Sequence, residues 1–388
     1  MSTAHPSDNH PAWGFSTQAI HRSRSPLDGS RAATMPIYQT STYTQPLDGS
    51  AQQYEYARGD SPNREALEDT LASLEKGRFA VAFGSGMAAC DAILRTLHPG
   101  DHVLAGQDLY GGVYRLFEKV YRPQGYDIDY CNFDDGTWIR QIRPQTRLVW
   151  LETPTNPLLM VTDIEEVAKQ AHLHQLTVVI DNTFASPYLQ NPLVWGADLV
   201  VHSMTKYIAG HSDVIGGAVI GNDQSWRDQL KFLRNAAGPI LSPFDAWLIL
   251  RGLKTLALRM EQHSRNAEHL VEFLGNHARV EQIYYPWTQP ISHKQMGAGG
   301  GMISFVLKDG TTDRVYNVLR NLRLFQVAES LGGVESLVSH PATMTHSSVP
   351  EEERNQRGIV SGLVRLSVGI EEAKDLIADW EQALLQIG

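Results

Sequence analysis

Residues 198–213 read DLVVHSMTKYIAGHSD, an apolar run at Leu199–Val201 that passes through Ser203, Thr205 and Lys206 into Gly210, His211 and Ser212. The composition changes there from that of a buried strand to that of a loop, which sets a lysine at the mouth of a sheet with two hydroxyls beside it. Held away from water, such an amine loses part of its preference for the charged form and can attack a carbonyl. Lys206 alone is equally well a surface lysine after a strand, so the rest of the chain has to decide.

Working outward, short apolar runs and helical patterns alternate. Leu67, Leu71 and Leu74 recur at helical spacing over Arg64–Lys76, with Gly77 as the stop. RFAVAF follows as a strand, Gly84-Ser85-Gly86 opens a helix over Met87–Leu97, HVLA is a strand, Gly111–Tyr121 a helix and YDIDYCNF a strand. RLVWLE precedes the proline-rich turn TPTNP, after which Thr162 and Glu165 read as a capping box for a helix through His174. TVVIDNTF, DLVVHS and GGAVIG are three more strands. This order predicts an α/β domain with a mostly parallel sheet covered by helices on both faces, a class that binds ligands at the carboxyl ends of its strands. Asn156, Asp181 and Lys206 all fall at such ends. A helical region from Ser242 to about Gly275, interrupted near Arg251-Gly252, marks the passage to a smaller α+β domain with strands GMISFVLK and LVRLSVGI and helices VYNVLRNL and EEAKDLIADWEQALLQI. The expected division is an arm at 1–55, a large domain at 56–251 and a C-terminal domain at 252–388. Proline and glycine recur through the arm, which excludes a long helix or regular strand; its tyrosines, Tyr38, Tyr43, Tyr54 and Tyr56, are expected to be exposed and to pack on a neighbouring subunit.

Composition bounds the function. The 388 residues exceed what one core usually fills, and a formal net charge of −10 argues against nucleic acid or an anionic membrane surface. Cys90 and Cys131 are the only cysteines, too few for a disulfide framework or a cysteine metal site, and Cys90 reads as a buried helix residue. No metal is expected. The first residues, MSTAHPSDNHPAWGF, lack a basic segment followed by an apolar one, so a cytoplasmic protein is expected.

Two cofactors compete for the large domain. Gly84-Ser85-Gly86-Met87-Ala88-Ala89 fits the dinucleotide pattern G-x-G-x-x-G/A between strand and helix, which keeps an NAD-dependent oxidoreductase open. The same local physics, small residues opening a helix whose free N–H groups face an anion, serves any phosphate. Pyridoxal 5'-phosphate needs a lysine to condense with its aldehyde, a carboxylate for its ring nitrogen, an aromatic ring to stack and donors for its phosphate. Lys206, Asp181, Tyr110 and the set of Gly86, Met87, Ser203 and Thr205 supply all four, whereas a nicotinamide site leaves Lys206 without a role.

The motifs YEYARGDSPNR, FGSGMAA, DLYGGVYR, ETPTNP, VIDNTFASPY, HSMTKYIAGHSDVIGG, AESLGGVESL, HPATMTH and VRLSVGIE together resemble the Cys/Met-metabolism family of fold-type I pyridoxal-phosphate enzymes, from about Thr17 to Ile387. The resemblance implies that Lys206 bonds the cofactor and later shuttles protons, that Asp181 pairs with the pyridinium and that Tyr110 stacks on it. It further implies that Tyr56 and Arg58 reach the phosphate of a neighbouring subunit, within a homotetramer of dimers that share active sites. Asn156, Ser330 and Arg365 would meet the α-amino acid end of the substrate, with Arg365 forking onto the carboxylate. Arg115, Glu55 and Glu329 match charged positions that face a substrate's far end, and His202 and His211 are read as packing residues. Gly111-Gly112 resembles the γ-lyase and γ-synthase pattern, since methionine γ-lyases carry a cysteine at the second position. Gly59-Asp60-Ser61-Pro62-Asn63-Arg64 departs from the usual S-G-N-P-T-R, and Met204 stands where a smaller residue is common; the departures put the shape of the intersubunit entrance in question. The resemblance thus implies cleavage of L-cystathionine at its γ carbon, with cystathionine γ-synthase and methionine γ-lyase as alternatives.

Overall fold

A computed structural model describes residues 13–23, 31–347 and 349–386. Seven strands make the first sheet: β1 (Phe79–Phe83), β2 (His102–Gly106), β3 (Asp127–Cys131), β4 (Thr146–Glu152), β5 (Thr177–Asp181), β6 (Leu199–Ser203) and β7 (Gly217–Gly221), in the spatial order β1-β7-β6-β5-β4-β2-β3. Pairing is parallel from β3 through β6, and only β7 runs antiparallel to its neighbours β6 and β1. Alternate side chains enter two separate cores, as the period of two requires: Ala80 and Ala82 go to one and Phe79, Val81 and Phe83 to the other. Burial on both faces is why these strands read as continuous apolar runs.

The helices start where their caps dictate. Ser61 accepts from Arg64 N at 3.4 Å and Pro62 fills the first turn, so the first long helix is Pro62–Leu74. Ser85 accepts from Ala88 N at 3.0 Å and opens Gly86–Leu94. The expected capping box is displaced by one residue, since Asp163 caps Ile164–Leu173 by accepting from Glu166 N at 3.2 Å. Thr162 is engaged elsewhere, its N–H given to Thr153 Oγ1 and its carbonyl held by Gln295. The helix expected over Gly111–Tyr121 is α-helical only over Gly111–Leu116 and widens to a π turn at Phe117–Tyr121, where Phe117 packs edge-on against Trp150. The long helical region breaks at Lys254–Thr255, between Pro243–Leu253 and Leu256–Gly275.

Five further strands, β8 (Val280–Tyr284), β9 (Met302–Leu307), β10 (Gln326–Val327), β11 (Leu337–Ser339) and β12 (Leu363–Ser367), form a second sheet in the order β10-β11-β12-β9-β8. Trp380 of the last helix, Ala373–Leu385, is buried on this sheet against Phe305 and Phe325. Among its described residues the arm holds one short helix, Phe15–His21, and an isolated bridge between Thr42 and Tyr56. Its tyrosines are not uniformly exposed. Tyr54 is buried, stacks near Tyr43 and donates its hydroxyl to Glu65, and of the four only Tyr56 is half exposed. Residues 1–12 of the arm lie outside the described residues.

Candidate active site

Three strands of the large sheet end on polar groups at one edge: β4 on Glu152, β5 on Asp181 and β6 on Ser203, with Glu152 and Asp181 in register. The chain then turns tightly, Lys206 N donating to Ser203 O at 3.2 Å and Gly210 N to Lys206 O at 2.8 Å, which throws the Lys206 side chain across this edge. Its Nζ donates to Ser330 Oγ at 2.8 Å. Burial, then the nearby Arg365 charge, bring the amine down to about 8, against a smaller opposing pull from Glu329. Ser330 has a left-handed φ of 97°, an unfavourable conformation for a residue with a Cβ, and its carbonyl is held by Arg365 Nη2 at 3.3 Å.

Arg365 rises from β12 of the small sheet and is buried. Its Nη1 donates to Asn156 Oδ1 at 2.8 Å, and desolvation lowers even its guanidinium to about 10. Asn156 is positioned from below by His346, whose Nε2 donates to the Asn156 carbonyl at 3.1 Å and whose ring is held neutral by burial, down to about 4. A second link ties the two sheets at this point, Ser304 Oγ of β9 donating to Pro157 O at 2.6 Å. A buried cation whose hydrogen-bond partners are a side-chain amide and a main-chain carbonyl keeps charge that a carboxylate could meet.

Asp181 is buried, and desolvation pushes its carboxyl up from the usual range. Thr183 opposes that shift, giving both its N–H (3.0 Å) and its hydroxyl (2.5 Å) to Oδ1, which leaves Oδ2 as the oxygen for a ligand. The same Thr183 hydroxyl accepts from Ser203 N at 2.9 Å, tying the ends of β5 and β6 together. Tyr110 stands over this edge with its N–H on Glu152 Oε2 at 2.8 Å. Glu152 is driven well above the ordinary carboxylate range, first by burial and then by Asp181.

The helix Gly86–Leu94 points its first turn at Ser203. A Cβ added at Gly86 would lie 2.9 Å from Ser203 Cβ, so only glycine permits this approach. The Gly86 and Met87 amides belong to the first turn, where N–H groups take no intrahelical partner, and with the helix dipole they could hold an anion beside the Ser203 hydroxyl. Thr205 is nearby, but its hydroxyl is shared with Gly216, which donates to it at 3.1 Å. Glu329 and Arg115 are exposed at the rim; the Glu329 charge is felt at Lys206, Tyr110 and Arg365, and that of Arg115 at Tyr110.

Five residues named from the sequence have partners outside this cluster. Arg58 Nε donates to Asn235 Oδ1 at 3.2 Å and its guanidinium lies over the Tyr56 ring at 5.4 Å, while Glu55 is exposed with its carbonyl accepting from Tyr43 N. His211 turns its Nδ1 to Ala209 O at 2.7 Å, and His202 is buried with Nε2 3.5 Å from Glu75 Oε2. Sequence reasoning passed over Thr183, Glu152 and His346. The signal for Glu152 was present, an acid ending an apolar run as Asp181 does, and Thr183 sits two residues beyond Asp181, the spacing of a local side-chain turn.

A lysine amine with lowered basicity, a buried carboxylate, an aromatic ring and an anion cradle on one sheet edge define a site for pyridoxal phosphate, and the donor set fits that group throughout. The family model for Cys/Met metabolism PLP-dependent enzymes matches residues 16–385, and the chain belongs to that family. It is 46% identical to a cystathionine beta-lyase of Coxiella burnetii, over 97% of this chain and 99% of that one. It is also 46% identical to a cystathionine gamma-lyase of Bacillus subtilis, over 96% and 99%. A crystal structure of cystathionine gamma synthase from Xanthomonas oryzae pv. oryzae superposes with a TM-score of 0.93 at 40% identity, covering 97% of this chain and 98% of that one. The chain is therefore a pyridoxal-phosphate-dependent carbon–sulfur lyase. The nicotinamide reading of the glycine motif is set aside with it. No helix among the described residues is long and apolar enough to cross a membrane, and no group of metal ligands occurs among them.

Proposed function

We propose that this enzyme cleaves L-cystathionine at its γ carbon, taking up water and releasing L-cysteine, 2-oxobutanoate and ammonia. The observation that carries the reading is the placement of Lys206 Nζ, 2.8 Å from Ser330 Oγ and brought down to about 8, between the Arg365–Asn156 corner and a rim that carries both an acid and a base. Bound pyridoxal phosphate supplies the electron sink that makes carbanions at the substrate accessible. Arg365 and Asn156 hold the α-carboxylate, which fixes the α carbon within reach of Lys206. Lys206 then takes the α proton, gives that proton up, and is free to take one from the β carbon and pass it to the departing sulfur, with the Ser330 hydroxyl steadying the amine between positions. Tyr110 covers the ring face, Asp181 keeps the ring nitrogen charged, and Gly86, Met87, Ser203 and Thr205 bind the phosphate, Thr205 by turning its hydroxyl away from Gly216.

Arg115, Glu329 and Glu55 match the two charges at the far end of cystathionine. Gly112 argues against a methionine pocket. A Cβ there would fall 2.4 Å from Tyr110 Cε1, so the cysteine found at this position in methionine γ-lyases would displace the ring. Tyr56 and Arg58, whose ring and guanidinium lie against each other and beside Asn235 in their own chain, complete the phosphate site of an adjoining copy in a homotetramer made of two such dimers. The protein is assigned to the cytoplasm, in keeping with its acidic composition and its two buried free cysteines. Steady-state rates with L-cystathionine, set against O-succinylhomoserine plus cysteine, test the reading; a higher kcat/KM for the second pair makes the protein a γ-synthase.

Substrate choice has its own test at Glu329. An acid at the rim attracts the distal ammonium of cystathionine and disfavours the apolar tail of methionine. Glu329→Val is expected to raise the kcat/KM ratio of methionine to cystathionine on the order of tenfold, the effect of about 1.4 kcal/mol in differential transition-state binding. An unchanged ratio in the paired assays removes Glu329 from the specificity site and leaves the task to Arg115 and Glu55.

A further inference from the structure

The unusual Gly59-Asp60 lies in a loop that buried cations grip from one side. Arg64 donates from Nη2 to the carbonyls of Ala57 at 2.9 Å and Gly59 at 2.6 Å. Arg234, on the helix Gln224–Ala237, donates from its own Nη2 to Gly59 O at 2.9 Å and to Asp60 Oδ1 at 2.8 Å. Lys231, one turn earlier, gives Nζ to Asp60 Oδ2 at 2.8 Å. Asp60 is therefore held through both oxygens by two cations of one helix, and the next residue of that helix after Arg234 is Asn235, the acceptor for Arg58.

The other side of Arg234 is held by β1 and by the helix Pro62–Leu74. Nη1 reaches Glu68 and, at 3.3 Å, the carbonyl of Ala82 in β1, while Glu68 Oε1 accepts from Ala82 N at 2.8 Å. Three residues on, the chain is Ser85, the cap of the cradle helix, and Gly84 N donates to Pro239 O at 3.0 Å just past the helix that carries Arg234. The Arg234 side chain is fully buried, so its charge depends on Glu68 and Asp60 for compensation.

We propose that Asp60, gripped by Lys231 and Arg234, is a positioning residue that presents Arg58 and Tyr56 to the phosphate of an adjoining copy. The proposal rests on the shared-site reading above. It accounts for the departure from S-G-N-P-T-R: an acid at 60 is useful here because a lysine and an arginine stand opposite it. Its effect falls on the neighbour's cofactor, which separates it from a residue that only stabilises its own chain.

Hybrid dimers isolated with two affinity tags test this. In the first hybrid, a chain bearing both Asp60→Asn and Lys206→Ala is paired with wild type, so the one lysine-bearing site draws its arm from the altered chain. In the second, an Asp60→Asn chain is paired with a Lys206→Ala chain, and the lysine-bearing site draws its arm from an unaltered loop. Spectrophotometric titration with pyridoxal phosphate is expected to show binding weaker on the order of tenfold in the first hybrid, as for loss of one charged hydrogen bond, and wild-type binding in the second. Lys231→Gln, a change at a partly exposed position, is expected to give the same asymmetry. The matching pair of hybrids with Arg58→Ala is the control. Asymmetry with Arg58→Ala but none with Asp60→Asn overturns the positioning role alone, as does equal weakening of both Asp60→Asn hybrids with a fall in the Tm of the cofactor-free protein. No asymmetry with Arg58→Ala overturns the shared site itself.

Discussion

Lys206→Ala is expected to lose on the order of 10^4-fold in kcat/KM for L-cystathionine, because the amine serves every proton transfer and a single positioned acid–base group already contributes up to about that factor. The purified variant should fold, since removing a partly charged group from a site that disfavours charge relieves a desolvation cost. A pH dependence accompanies it. Only the neutral amine bonds the cofactor, so the rate at which cofactor-free protein takes up pyridoxal phosphate should rise with pH and level off above about 8. The folded-state value lies below the roughly 10.4 of an unfolded lysine, so between the two the unfolded chain binds more protons than the folded one. The cofactor-free protein should accordingly gain stability as pH rises through that window, and Lys206→Met should remove the gain. A variant that keeps more than a tenth of wild-type activity would take Lys206 out of the chemistry.

The second large effect belongs to Arg365. Truncation to alanine deletes the fork that the substrate carboxylate meets and leaves Asn156 Oδ1 and the Ser330 carbonyl without their donor. Losing one partner of a desolvated charged pair costs roughly 2–5 kcal/mol, so kcat/KM should fall by at least about thirtyfold, and chiefly through KM. Arg365→Lys retains the charge but not the planar fork and should recover only part of the loss. If KM stays constant while kcat alone collapses, Arg365 acts through the Ser330–Lys206 contact and the carboxylate is bound elsewhere.

Much of this site is legible in the sequence because its parts follow local rules. Asp181, Ser203 and Lys206 are adjacent in space since they end or follow neighbouring parallel strands, and the glycines before Met87 open a helix whose cap, Ser85, is local. What the sequence hides is long-range. Arg365 lies 209 residues from Asn156, and their meeting depends on how the small sheet docks on the 153–161 turn. Thr183 and Glu152 were passed over because each looks like an ordinary strand end until the register of β4, β5 and β6 aligns them. The tyrosines of the arm read as exposed for the same reason, whereas Tyr54 finds Glu65 and Tyr43 within its own chain. Asp60 reads as a bare departure from a motif until Arg234, 174 residues away, is seen opposite it.

Which carbon–sulfur bond is broken defines the reaction. Incubation of the loaded enzyme with L-cystathionine alone, followed by mass-spectrometric identification of the keto acid and the thiol, decides it. Cleavage at the γ carbon yields 2-oxobutanoate and L-cysteine in equal amounts; pyruvate with homocysteine would show β cleavage and contradict the account.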